Sequence, residues 1–390
     1  MRIFTVVFTM VNKVNVSSII LTLFFKSVFL FNEVTGHGFG HASRSLVTIQ
    51  ALLDRGFHVE VVTSVSPVFF QQAIPSIRVH HRRLDTGAYQ ANALEVDQQK
   101  TLDWYKTDIY TNHDSLVELE VTFLIEHRAD LVLSDATPLA CIAGKKAGAK
   151  VAVLSNFCWD FIFNEMYLST ARSQPEVADM ISQVSLDYSA ADLLLLYPGG
   201  TPLLASFKSI ISVPLLSRHA TMTPAAVRDK WNIPSNCKIL LLGFGGFDTV
   251  WKLQDYFLPP GWICLVLSAN QNDLPSSRFL AVPSNAYIPD LVGACDCWLG
   301  KIGFGTVSEA LNHGVPLIYI PRTSWPEEKY LETYLLDKNA GISMSSKDFF
   351  DGLWSEYLKE ALFLKQSLVS LNSRGEINVV DLLKELLASN

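Results

Sequence analysis

Between Pro289 and Pro321 the sequence PDLVGACDCWLGKIGFGTVSEALNHGVPLIYIP confines two apolar runs, a glycine-broken loop and a helical run to one short stretch. Two strands joined through a helix run parallel, because the helix carries the chain back to the edge where the first strand began. Residues 295–299 read as a buried strand, Gly300, Gly303 and Gly305 let the backbone turn tightly, and residues 306–312 read as a helix closed by Gly314. The first N–H groups of such a helix have no partner inside it and are suited to a phosphate; the backbone of Thr306 and Val307 supplies them here. Glu309, one turn further in, points its carboxylate back to the same end, where it can accept both hydroxyls of a ribose. Pyrophosphate and ribose side by side describe a nucleotide-sugar. The competing reading of Glu309 is a capping box, Thr306-x-x-Glu309, in which the carboxylate only satisfies backbone donors.

The same alternation fills the chain in two series. Residues 27–34 read as a strand, 42–55 as a helix stopped by Gly56, 58–63 as the next strand, and further strands fall at 131–133 and 151–154 around a helix at 139–147. A second series restarts near Cys237 with strands at 238–242, 262–267, 295–299 and 317–320, and Pro214, Pro224 and Pro234 mark the join. Strands alternating with helices predict an α/β fold of two doubly wound, Rossmann-like domains, residues 27–217 and 218–390. Their cleft lies at the carboxyl ends of the strands.

Composition narrows the partners. Hydrophobic residues make up 49% and charged residues 18% of the 390, so the chain is globular rather than disordered. A net charge of −7 with no lysine or arginine run argues against a nucleic-acid surface. Six cysteines sit mostly in apolar runs, which favours reduced core thiols and a cytoplasmic protein; Cys295-x-Cys297 reads as alternation on one strand, not as half a metal site. The apolar extension 1–26 contains Asn12, Lys13 and Lys26 and is neither an unbroken membrane span nor a signal with a clean cleavage site. It reads as a tail before the first strand, with membrane association as the alternative.

The first half carries Gly36-His37-Gly38-Phe39-Gly40-His41 directly after its first strand. A dinucleotide fingerprint needs glycine where His41 stands, so the loop instead presents two imidazoles at the mouth of the cleft. His41 is the candidate general base, with capping of the following helix or a neutral contact to phosphate as the alternative, and His37 is a cleft contact. Asp135 ends a buried run at the same edge and is placed to hold one ring nitrogen of His41, although Asp-Thr-Pro is also an ordinary helix start. Asn156, Trp159 and Asp160 follow the 151–154 strand and are candidates for acceptor contacts, with a place in the core as the alternative for Trp159. In the second half, Gly245 and Gly246 offer a further close backbone for phosphate, and Glu327 and Glu328 lie where a donor sugar would rest, with a solvated charged turn as the alternative.

Residues 300–321 and the paired layout resemble the GT-B glycosyltransferases, in particular the MurG-like group and the UDP-glycosyltransferases. The segments VTGHGFGHASRS, LDTGAYQANALEVD, SNFCWDFIF and LGKIGFGTVSEAL are similar to the amino-terminal half of the plant L-arabinokinases, but no kinase-type phosphate loop is present. The resemblance implies an acceptor domain followed by a domain that holds a UDP-sugar, with Glu309 on ribose, the backbone of 303–307 on pyrophosphate, and His41 with Asp135 as base and partner. It implies an inverting transfer to a hydroxyl acceptor, with helix dipoles and no metal at the diphosphate and with no resident cofactor; no Asp-x-Asp motif is present for a metal. A non-catalytic nucleotide-sugar-binding module, or an epimerase or hydrolase, uses the same architecture and stays open as an alternative.

Overall fold

A computed structural model describes residues 27–32, 40–171, 174–245 and 252–389. The extension 1–26, His37 and Gly246 lie outside the described residues.

The first half interleaves strands β1 (Ser27–Asn32), β2 (His58–Thr63) and β3 (Arg78–His81) with helices α1 (Gly40–Asp54) and α2 (Pro67–Ala73). A small hairpin follows, β4 (Gln90–Asn92) with β5 (Glu95–Val96), and then α3 (Gln98–Asp108) and α4 (His113–Glu126). Next come β6 (Leu131–Asp135), α5 (Pro138–Lys146), β7 (Lys150–Ser155), α6 (Trp159–Met166), α7 (Pro175–Ser189), β8 (Leu193–Leu196) and β9 (Ile210–Ser212). All seven main strands run parallel in the order β3-β2-β1-β6-β7-β8-β9. Leu131 and Leu133 face one core and Val132 the other, the period of two expected of a strand covered on both faces.

A linker containing Pro214 leads to α8 (Pro224–Lys230) and a second parallel sheet. Its strands are β10 (Lys238–Gly243), β11 (Trp262–Leu267), β12 (Phe279–Val282), β13 (Cys297–Gly300), β14 (Leu317–Tyr319) and β15 (Gly341–Ser343), in the order β12-β11-β10-β13-β14-β15. The helices are α9 (Ile288–Ala294), α10 (Phe304–Asn312), α11 (Glu328–Asp337), α12 (Ser346–Phe350), α13 (Ser355–Ser367) and α14 (Gly375–Ala388). Strand order reverses between β1 and β6 in one sheet and between β10 and β13 in the other, and ligands of doubly wound sheets collect at such points.

Three details depart from the sequence expectation. Helix α1 begins at Gly40, so His41 stands in its first turn and not in a loop. Cys295 closes α9, its N–H bonded to the carbonyl of Leu291, and β13 starts only at Cys297; the two thiols belong to different cores and are not alternating positions of one strand. Helix α10 begins two residues early, at Phe304. Helix α14 packs on α1 of the first half, where Arg55 and Asp381 pair at 2.8 Å. All six cysteines are free thiols, and among the described residues no helix is long and apolar enough to cross a membrane.

Candidate functional site

Asp135 ends β6 at the switch point of the first sheet and is buried. Its Oδ1 accepts from His41 Nδ1 at 2.9 Å, and its Oδ2 accepts from Arg44 Nε at 2.9 Å and from Ser45 Oγ at 3.1 Å. The second arm of Arg44 also reaches Oδ1. His41, Arg44 and Ser45 stand at i, i+3 and i+4 of α1, the spacing that puts side chains on one helical face. Arg44 Nη2 lies 2.8 Å from His41 Nδ1 as well, but it already donates to the carboxylate. An ionised carboxylate oxygen can only accept, so the proton of the His41–Asp135 contact sits on Nδ1 and Nε2 keeps a lone pair, the arrangement of a general base. Burial alone would push the Asp135 carboxyl up; Arg44 and His41 outweigh burial and hold it well below the usual carboxylate range. The helix-start reading of Asp135 fails, because Thr137 occupies the cap position of α5 and Asp135 spends its oxygens on α1. Ala136, next in the chain, adopts φ 64°, a left-handed conformation uncommon for a residue with a Cβ.

A second carboxylate faces His41. Asp85, buried in the loop after β3, accepts from the backbone of Thr86 at 2.6 Å and of Gly87 at 3.0 Å and is bonded by Trp159. Burial pushes its carboxyl up to about 6, against the pull of those N–H groups and of His41. Trp159 is largely core, stacked on Phe163 at 5.0 Å, yet its edge meets Trp325 of the second half at 6.0 Å.

The second half contributes a helix start with no side-chain cap. Gly303 caps α10 with no side chain, so no side-chain oxygen competes for the first N–H groups, and a Cβ placed on Gly303 would meet nothing within 4 Å. Gly305 and Thr306 form the rest of this first turn, and a Cβ on Gly305 would lie 3.6 Å from the Cα of Gly40. Beside it, Gly245 turns with φ 72° against the stem of Lys301. Burial, then Arg322, push the Lys301 ammonium down to about 7, with Glu328 opposing.

The acidic candidates divide. Glu309 is not a cap: α10 starts five residues before it, and its Oε1 accepts from Arg218 of the linker at 2.8 Å, with the guanidinium 5.7 Å above the Tyr287 ring. Glu327 is buried and engaged at both oxygens, by Asn156 Nδ2 at 2.6 Å and by Trp325 Nε1 at 2.6 Å. Asn156 in turn accepts from Arg44 Nη1 at 2.9 Å, so it joins the two halves and is not an open acceptor contact. Glu328 is also buried and ion-paired with Arg322, which corrects its placement beneath a donor sugar and the solvated-turn reading of both residues. Asp160 does not face the cleft; it sits inside the first turn of α6, accepting from Phe161 N, Ser185 Oγ and Ala205 N, each at 2.8 Å. Arg44, Asp85, Arg218 and Lys301 escaped the sequence reading, although Arg44 carried a signal three residues after His41.

This architecture is the GT-B fold of glycosyltransferases. A UDP-glucosyltransferase from Polygonum tinctorium matches it with a TM-score of 0.61 over 94% of this chain and 99% of that one at 14% identity, and MurG of Acinetobacter baumannii with 0.52 over 92% and 99% at 12%. In sequence, the chain is 37% identical over 347 residues to L-arabinokinase of Arabidopsis thaliana, covering 88% of this chain but 33% of that protein. The chain thus spans about one third of the relative's length. No family model matches it.

Proposed function

We propose that the chain binds a nucleoside-diphosphate sugar, UDP-linked, and transfers the sugar with inversion to a hydroxyl of a small molecule or glycan. The observation that carries this reading is the meeting, at Gly40 and Gly305, of a His–Asp pair from one half with an uncapped helix start from the other. His41 Nε2 takes the acceptor proton as the acceptor oxygen bonds to the anomeric carbon. The bond from that carbon to the diphosphate breaks, and the leaving charge is received by the α10 N–H groups and Lys301. Asp135 steadies the imidazolium until solvent removes its proton. Glu309 with Arg218 frames the ribose. The UDP-glucosyltransferase of Polygonum, which shares this architecture, supports UDP as the carrier.

One observation favours a second reading, binding without transfer: both oxygens of Glu327 are held by Asn156 and Trp325 and do not face a donor sugar. Thermal shift against UDP, GDP, ADP and TDP, followed by UDP release from UDP-sugars with and without acceptor alcohols, separates the readings. Stabilisation by UDP with acceptor-dependent release is the expected result. Stabilisation with no release assigns a binding module, release without acceptor assigns a hydrolase, and no shift with any nucleotide overturns both readings.

A further inference from the structure

Away from the cleft, at the edge of the first sheet, three chemically distinct elements converge on one point. Glu60 of β2, His80 of β3 and His127, the residue that closes α4, bring ligand-capable atoms within 4.8 Å of one another. Glu60 is buried, on the sheet face it shares with Val62, and that face packs on Phe123 of α4. Its Oε2 lies 2.6 Å from His80 Nε2, and its Oε1 lies 3.0 Å from His58 Nε2. The two cluster imidazoles stand 5.1 Å apart, centroid to centroid, and Phe123 contacts both.

We propose that Glu60, His80 and His127 form a binding site for a transition-metal dication of the zinc class, tying β2 and β3 to the end of α4. Two imidazoles and a carboxylate are a donor set that suits zinc better than the oxygen-seeking cations. His127 Nδ1 donates to the carbonyl of Phe123 at 2.8 Å, which fixes the tautomer and leaves Nε2 the nitrogen with the lone pair. A ring nitrogen anchored to a backbone carbonyl is the usual support of a ligating histidine. His58, more than half exposed, or a water completes the set. The surrounding charges allow it: Arg82 is paired with Glu120 at 2.8 Å, and Arg78, which reaches Glu60 Oε1 at 2.9 Å, is 63% exposed and can withdraw into solvent. β3 runs directly into the loop bearing Asp85, so an ion on His80 fixes the strand that delivers Asp85 to His41.

The full chain, stripped with a chelator, is titrated with zinc chloride against a chromophoric competitor and separately with cobalt(II) chloride. The expected result is one equivalent of zinc bound with a Kd of about 1 μM or tighter and visible d–d absorption of a four-coordinate cobalt ion. His127→Gln and His80→Gln each weaken zinc by about tenfold or more, whereas His113→Gln, on the opposite end of α4, leaves it unchanged. Should His80→Gln fail to fold, His127→Gln decides alone. Absence of stoichiometric uptake, or uptake that survives in the folded cluster variants, overturns the site.

Discussion

The strand-to-helix junctions that end in α1 and α10 lie at the switch points of their sheets and come within contact distance at Gly40 and Gly305, yet they are built oppositely. The first turns of α1 are filled with side chains, His41, Arg44 and Ser45, all bonded to one buried carboxylate. The first turn of α10 is bare, with glycine at the cap and glycine again at 305. A junction that moves a proton needs a side chain held in one tautomer by a fixed partner, and a junction that holds an anion needs backbone N–H groups that no side chain occupies.

The sharpest way to break this comparison is to damage each junction alone. His41→Ala is expected to lower kcat about 10²–10⁴-fold while changing the Kd for UDP less than about twofold, read by UDP release and by calorimetry. Gly305→Val, whose side chain would press on the Gly40 backbone, is expected to do the reverse and weaken UDP by about tenfold or more, from the 3.6 Å already present at Cβ. Equal loss of nucleotide affinity in His41→Ala would make His41 a phosphate ligand and dissolve the division of labour.

The two carboxylates around His41 offer the next contrast, because their pKa values move in opposite directions. Asp135 titrates below its unfolded value of about 3.9, so the stability it contributes is present above that pH and is lost as pH falls through its folded range. Asp135→Asn leaves Arg44 buried without its carboxylate and is expected to cost about 3–5 kcal/mol at pH 7. The deficit shrinks below about pH 4. Asp85 titrates at about 6, above its unfolded value, so its contribution is full below about pH 4 and declines as pH rises through about 6. Asp85→Asn is therefore expected to raise stability at pH 7 by up to about 3 kcal/mol and to give no gain at pH 4. Thermal denaturation of both variants from acid to neutral pH reads the two signs, and a destabilised Asp85→Asn at pH 7 would mean that its bonds to Thr86, Gly87 and Trp159 outweigh its burial.

Much of this was legible in the residues because doubly covered strands are written as uninterrupted apolar runs. Residues 58–63 and 262–267 form strands with the boundaries read from sequence, and Gly314, at φ 63°, ends α10 as its position implied. The pairing of His41 with Asp135 was legible for the same reason: His41 comes after one strand and Asp135 ends its neighbour, at a reversal of order. What sequence could not weigh was competition for the same oxygens. Glu327 and Glu328 look like a solvated turn until Asn156 and Arg322, distant in sequence or hidden by the fold, reach them. Asp160 looks like a cleft residue until α7 supplies Ser185 behind it. Glu60, His80 and His127 have no common period and meet only because β3 pairs with β2 under α4.

The smallest effect concerns the lysine beside the bare junction. With its ammonium pushed down to about 7, Lys301 is only partly charged in neutral solution, and a diphosphate at the α10 start would favour the charged form. Binding of UDP should therefore take up a proton between about pH 7 and 9, visible as a calorimetric enthalpy that changes with the ionisation enthalpy of the buffer. By the same linkage UDP affinity should rise, by up to about tenfold, as pH falls from about 8.5 to 6.5. Lys301→Met is expected to weaken UDP by about tenfold and to abolish both the proton uptake and the pH dependence. Glu309→Gln, which weakens the bond to Arg218 at the proposed ribose frame and leaves Lys301 in place, should weaken UDP yet keep the pH dependence. If the two variants behave alike, the anion is not held at Lys301, and the bare junction owes its affinity for a diphosphate to the helix N–H groups without help from a side-chain cation.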